Sequence, residues 1–395
     1  MRERIILLLL LGLDAFVLFY EVSTLSITSH EAYILYHAHS FVHYLTQFSL
    51  DLFGQNDYAL RLPMIVLHLL SAVLLYRISK LYVKRDSDRL WLVFVYTLLP
   101  GVISSALLVD NAAIMICALF FLLYLYQARP KLVPFFLVAF LAIDGTFAFL
   151  YFALFIYAFN RGNTFYMVLN AVLFFAAFYL YGFDTMGKPS GHFLDTMGLY
   201  ATIFSPVVFV FLVYVLYRKM ISREYDITLY VGGIVFVVSL LLSFRQRIHI
   251  EHFAPYMMLL LPLAAQTFFS SYRVRLRVFR GRYRLLLVIG FTILALHFFL
   301  LLLNKGLYLF LDDPKSHFAY KTHIIKELSS ELKEKKIDCV DVQSQLMQER
   351  LRFYGIKACA QQRLEEAPLD EAADVTVRYI GKVVAAYSVT KIPNF

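Results

Sequence analysis

Apolar residues in this chain come in long runs separated by short polar breaks. The first run spans Ile5 to about Val22, and ten more follow near 62–82, 90–108, 111–127, 132–143, 146–159, 165–183, 199–217, 227–244, 253–272 and 285–304. At about 1.5 Å of rise per residue, most are long enough to cross the roughly 30 Å apolar core of a bilayer as a helix. The two runs flanking Asp144-Gly145 are shorter and read as a hairpin or two short tilted spans. The first run is followed by no small-x-small cleavage site, so it reads as an uncleaved span. Eleven segments predict a mainly α, polytopic transmembrane helical bundle.

The pattern changes after residue 304. Lys321–Lys335 reads as a helix with Ile324, Ile325, Leu328 and Leu332 on one side. Ile337–Val342 reads as a strand, Gln345–Tyr354 as a helix ending at Gly355. Val375–Ile380 and Val383–Val389 read as strands joined by Gly381-Lys382. The chain therefore divides into a transmembrane domain, 1–304, whose first loop is 23–61, and a small α/β domain, 305–395.

Composition agrees. Of 395 residues, 60% are hydrophobic and 16% charged, with a mean hydropathy of +0.66. That excludes a disordered chain, a disulfide-dense mini-domain and an ordinary cytosolic enzyme. The net charge of +9 raises nucleic acid as a partner, but its distribution argues otherwise. Eighteen Lys or Arg lie in the loops at one end of the spans, including Arg2, Lys80, Arg129, Arg161, Arg218, Arg223 and the Arg273–Arg284 stretch. The opposite loops hold four: Arg61, Lys188, Arg245 and Arg247. This asymmetry orients the N-terminus in the cytoplasm and, with an odd number of spans, the C-terminus outside. Residues 305–395 carry fourteen Lys/Arg against thirteen Asp/Glu. The basic balance is thus a topology signal, and no nucleic-acid partner is expected. The Arg273–Arg284 stretch also suits anionic lipid headgroups.

Candidate chemistry concentrates in the loops on the external side. The first of them reads as an amphipathic helix lying on the membrane, with interfacial aromatics including Tyr33, Phe41, Tyr44 and Phe48. It also holds Glu31 beside His30, a carboxylate suited to general-base work. Asp110 follows Pro100-Gly101 at another external turn and either serves the site or caps the next helix. Arg245 and Arg247 suit phosphate through their planar forks, or else snorkel at the interface. His39 and His43 have the i, i+4 spacing of metal ligands on one helix face, and a divalent cation is the one cofactor this leaves open; no metal set is assigned. Asp14, inside the first run, is costly in lipid and should face the bundle. Cys117 lies mid-span, whereas Cys339 and Cys359 lie in the C-terminal domain, where a disulfide between them is open.

The first loop carries His30-Glu31-Ala32-Tyr33, then His39-Ser40-Phe41-Val42-His43-Tyr44-Leu45, then Leu52-Phe53-Gly54-Gln55-Asn56-Asp57-Tyr58-Ala59-Leu60-Arg61-Leu62-Pro63. This order resembles the first external loop of GT-C membrane glycosyltransferases of the family 39 type, which includes protein O-mannosyltransferases and lipid A aminoarabinose transferases. Asp110, Pro255-Tyr256 and Tyr354-Gly355 extend the resemblance along the chain. There are departures. His30 stands where the family has the Asp of an Asp-Glu pair, Ser40-Phe41 replaces Pro-Pro, and Asp144-Gly145-Thr146 replaces Lys-Gly-Pro.

The resemblance implies a GT-C bundle in a bacterial inner membrane with a periplasmic C-terminal domain. It implies a polyprenyl-phosphate sugar as donor and a lipid, glycan or protein as acceptor, with inversion at the anomeric carbon. Glu31 would be the base, assisted by His30, and Asp110 would position the acceptor or the base. Arg245 and Arg247 would bind the lipid phosphate. Tyr33, His39, His43, Arg61 and Tyr256 would line the substrate surface. A catalytically degenerate relative serving as a membrane scaffold is the alternative. A transporter or flippase fits less well, since no paired repeat is visible.

Overall fold

The computed structural model describes residues 2–182, 191–222, 226–275, 277–369 and 373–391. Lys188 and Arg223 lie outside them, as do the side chains of residues 276–279 and 282. Every apolar run is helical. Helix α1 is Arg2–Thr24; the first loop forms α2, Ser29–Tyr36, and α3, Phe41–Phe53; α4 is Asp57–Ile78. Then come α5, Asp86–Leu98; α6, Pro100–Leu107; α7, Asn111–Ala128; α8, Val133–Leu141; α9, Ala148–Asn160; and α10, Thr164–Tyr181. Next are α11, Phe193–Phe204; α12, Pro206–Ile221; α13, Ile227–Ser243; α14, Ala254–Met258; α15, Leu261–Val274; and α16, Arg277–Leu302. The C-terminal region holds α17, Tyr320–Glu334, and α18, Gln345–Phe353, with strands β1, Gln362–Glu366; β2, Val375–Tyr379; and β3, Lys382–Lys391.

The expected eleven spans resolve into a smaller set of long ones. Among the described residues, five helices are long and apolar enough to cross a membrane, or seven if each bent pair is one span. The pairs are α5–α6, bent by 63°, and α11–α12, bent by 107°. A proline opens the second helix of each pair, where its missing N–H breaks the ladder of hydrogen bonds. Pro130–Leu141, Gly145–Asn160 and Ile227–Ser243 are apolar but shorter. Helices α1 and α16 leave Leu8, Leu9, Leu13, Leu285 and Leu286 exposed. Long helices that are apolar all round and unburied within the protein need a lipid solvent.

The chain forms two compact units. One comprises residues 1–15, 64–106 and 110–298. Its core includes Leu75, Tyr96, Leu119, Phe147, Tyr151, Tyr200 and Leu212. Asp14 faces this bundle, as its cost in lipid requires, and meets His68 Nε2 at 2.7 Å. His68 stacks on Tyr96 with ring centroids 5.7 Å apart.

The other unit comprises residues 16–63, 107–109 and 299–395. This spatial division differs from the chain-order boundary at 304/305, because the first loop folds with the C-terminal region. The core of this unit holds Leu328, Leu332, Val340, Leu351, Ile356, Val375 and Val384. Its sheet has the order β1-β3-β2, antiparallel throughout, with β3 central. Two details depart from the sequence pattern. Ile337–Val342 is no strand: it makes only the isolated parallel bridges Cys339–Lys357 and Asp341–Arg363. β1 is a strand that alternation does not announce. It lies at an edge and buries only Leu364, so it reads as polar. Cys339 and Cys359 form a disulfide, with a Cα–Cα distance of 5.5 Å. Cys117 is free and buried.

Candidate functional site

In the second unit, the first loop is organised around one carboxylate. Thr28 caps α2: its hydroxyl accepts from Glu31 N at 3.0 Å, and Glu31 Oε2 accepts from Thr28 N at 2.7 Å. This reciprocal capping box satisfies two donors that a helix start leaves unpaired. The remaining capacity of Glu31 is taken by Arg61, whose Nε donates to Oε1 at 3.2 Å and Nη2 to Oε2 at 3.0 Å. Val109 N donates to Oε1 at 3.1 Å. Four hydrogen bonds thus converge on a side chain that is 1% exposed. A proton acceptor must turn a lone pair toward its substrate. In this structure, Glu31 instead anchors the start of α2.

Arg61 is equally committed. Its guanidinium also donates to Ser26 O at 2.9 Å and approaches Asp57 at 3.8 Å. It therefore holds the loop backbone rather than offering a free fork to a ligand. His30, one residue before Glu31, is exposed at the first turn of α2.

Three further residues complete this cluster, and the sequence signals one of them. Tyr354 donates to Asp57 Oδ1 at 2.6 Å and accepts from Ile27 N at 3.0 Å. Lys326 Nζ lies 2.8 Å from Asp57 Oδ2. Arg350 donates to Ile27 O at 2.8 Å and to Lys321 O. Burial pushes the Arg350 guanidinium down to about 10, so it stays charged at neutral pH. Burial pushes the Tyr354 phenol up, as does the Asp57 carboxylate beside it, and the phenol keeps its donor proton. Only Tyr354 was signalled in sequence, through Tyr354-Gly355. Lys326 and Arg350 look like ordinary helix-surface cations, because their partners are distant in the chain.

The loop's other candidates lie nearby in the same unit. Tyr33 and His39 are exposed. His43 Nδ1 is 3.0 Å from Ile34 O, and its ring meets that of His39 edge-on at 6.1 Å. His37 Nε2 pairs with Glu349 at 2.6 Å. Among the described residues, no three His, Cys, Asp or Glu side chains gather as a metal-binding group. The loop is also two helices rather than one. Ser40 restarts the chain by accepting from His43 N at 3.3 Å.

The first unit holds the remaining candidates. Asp110 caps α7, its Oδ1 accepting from Asn111 N at 2.5 Å. Asn111 Nδ2 donates to Asp144 Oδ2 at 2.7 Å, and Asp144 Oδ1 accepts from Thr146 N at 2.7 Å. Tyr256 is fully buried and donates to Thr146 O at 3.0 Å. Tyr256 thus braces the Asp144 turn. At Gly145, an added Cβ would lie 2.7 Å from the Tyr181 ring, so the turn needs glycine for space. Arg245 and Arg247 are exposed just after α13. The short turn Ile250–His252 that follows them packs against α7.

No family profile matches the sequence, and no curated protein matches it. In fold, the chain is similar to ArnT from Cupriavidus metallidurans. For the apo crystal structure, the TM-score is 0.55 at 14% identity, covering 89% of this chain and 84% of that one. For ArnT bound to undecaprenyl phosphate, it is 0.57 at 13% identity, with the same coverage of 89% and 84%. The chain is an integral membrane protein, mainly helical, with a small C-terminal three-stranded sheet. Its fold is ArnT-like.

Proposed function

We propose that this protein is a GT-C glycosyltransferase that moves a sugar from a polyprenyl-phosphate donor to an extracytoplasmic acceptor. The observation that carries this reading is the fold likeness over 89% of the chain to a protein crystallised with undecaprenyl phosphate. The first-loop resemblance, from His30 to Pro63, supports it independently.

In this reading, an acceptor hydroxyl or amine attacks the anomeric carbon from the face opposite the lipid phosphate. The new bond forms as the sugar–phosphate bond breaks, with inversion. The leaving phosphate keeps the electron pair, and Arg245 and Arg247 stabilise its charge. The acceptor's proton goes to His30, which the buried Glu31 anchor holds in place. Asp110 orients the acceptor. Tyr33, His39 and His43 contribute the exposed polar and aromatic surface of the loop.

One observation favours a second reading, a catalytically degenerate scaffold: the loop's buried acid is wholly engaged, and a histidine occupies the position of the family's catalytic Asp. Reconstituted protein supplied with polyprenyl-phosphate sugars and membrane extract separates the two. Sugar transfer by wild type, lost in His30→Ala, supports the enzyme with His30 as proton acceptor. Equal product from both variants removes His30 from the mechanism. No product from wild type with any donor supports the scaffold.

A further inference from the structure

We propose that Arg218, Arg275 and Arg284, gathered around Tyr272 and Tyr283, bind the phosphodiester headgroup of an anionic phospholipid. The sugar-transfer reading leaves this cluster without a role, and the proposal does not depend on that reading.

Two tyrosines organise the cluster. Tyr272 and Tyr283 have ring centroids 6.1 Å apart. Tyr283 stacks on Phe268 at 5.3 Å, which ties the pair to the bundle. Three guanidiniums surround this pair. Arg275 lies over the Tyr283 ring at 4.5 Å. Arg284 donates to the Tyr272 hydroxyl at 3.5 Å. Arg218, from the end of α12, donates to the hydroxyl of Ser271, the neighbour of Tyr272, at 3.3 Å.

Charge is left over in this arrangement. Arg273 is neutralised by Asp88, the one carboxylate that meets the group among the described residues. Arg280 spends its fork on the carbonyls of Arg273 and Arg275 at 3.2 and 2.9 Å, closing the end of α15. Among the described residues, Arg218, Arg275 and Arg284 therefore face only neutral partners. Each is exposed. Like charges gathered without counter-charge repel, and an anion relieves that cost. Ring faces and hydroxyls pre-orient the forks, which suits the planar, bidentate recognition of phosphate.

Position selects the lipid. The membrane-crossing stretch Tyr283–Leu302 begins within the cluster. Its first exposed apolar residues, Leu285, Leu286 and Leu287, directly follow Arg284. A ligand with a phosphodiester next to acyl chains matches this charge next to apolar surface.

The test uses the full chain in nanodiscs of phosphatidylcholine with or without phosphatidylglycerol, counting retained lipids by native mass spectrometry. Wild type is expected to retain phosphatidylglycerol in preference to phosphatidylcholine. Arg275→Ala with Arg284→Ala should lose that preference by roughly tenfold. Arg275→Lys with Arg284→Lys should keep most of it. Excess inorganic phosphate should leave the lipid in place. Equal retention by wild type and the double alanine variant overturns the proposal. So does displacement by inorganic phosphate, which assigns the cluster to a free anion. Should the double variant fail to fold, Arg218→Ala carries the same expectations.

Discussion

Arg61 closes on Glu31 as a fork, two bonds of 3.2 and 3.0 Å between side chains that are 0% and 1% exposed. A buried pair of this kind is costly to break from one side, because the remaining charge has no solvent. Glu31→Ala or Arg61→Ala should each destabilise the protein by about 3–5 kcal/mol. Denaturant unfolding in detergent measures this. A Glu31→Ala protein as stable as wild type would refute the anchor.

The C-terminal unit should weaken in acid because of His323. Burial, with Lys305 and His317 nearby, pushes its imidazole down to about 3. The Tyr308 hydroxyl lies 3.1 Å from its Nδ1, and among the described residues its buried Nε2 meets no partner. The folded state thus prefers the neutral ring, while the unfolded chain protonates it near the usual value of about 6.5. The stability contributed by the depressed value is complete above that point. It is lost as pH falls toward about 3, by on the order of 4–5 kcal/mol at the acid end. Melting curves from pH 7 to pH 4 should show a shallower decline for His323→Phe than for wild type. Parallel declines would remove His323 from the acid response.

The Cys339–Cys359 bond closes a loop with a sequence separation of 20. Reducing it should cost about 3 kcal/mol, through the freedom it restores to the unfolded chain. Denatured protein should show one reactive thiol before reduction, from Cys117, and three after. An unchanged thiol count would disprove the bond.

We expect residues 305–395 to lie outside the cytoplasm. An alkaline phosphatase fused after Lys305 should be active, and a cytoplasmic reporter at the same position silent. The reverse result would overturn the orientation and, with it, the placement of His30 and Asp110 on the external side.

The apolar runs made the helices legible, because a membrane solvent writes itself into composition. The bends were not. Whether Leu90–Leu108 is one straight span depends on how Leu99 and Pro100 pack, and the structure turns there by 63°. The edge strand β1 escaped for a related reason. Its partner, not its own alternation, makes it a strand.

The candidate site divides along the same line. His30, Glu31, Asp110, Arg245 and Arg247 could be singled out from chemistry and order along the chain. Their states could not. Glu31 reads as a general base, and only the fold shows Arg61 and Val109 N on its oxygens. Tyr256 reads as a substrate contact, and only the fold shows its hydroxyl on Thr146 O. The sequence by itself determined a membrane-embedded helical bundle and a mixed C-terminal region, since these follow from local hydrophobicity and residue order. Only the tertiary structure decided which ionisable groups are spent on one another. Burial and hydrogen-bond saturation are properties of partners brought together by folding, tens or hundreds of residues apart.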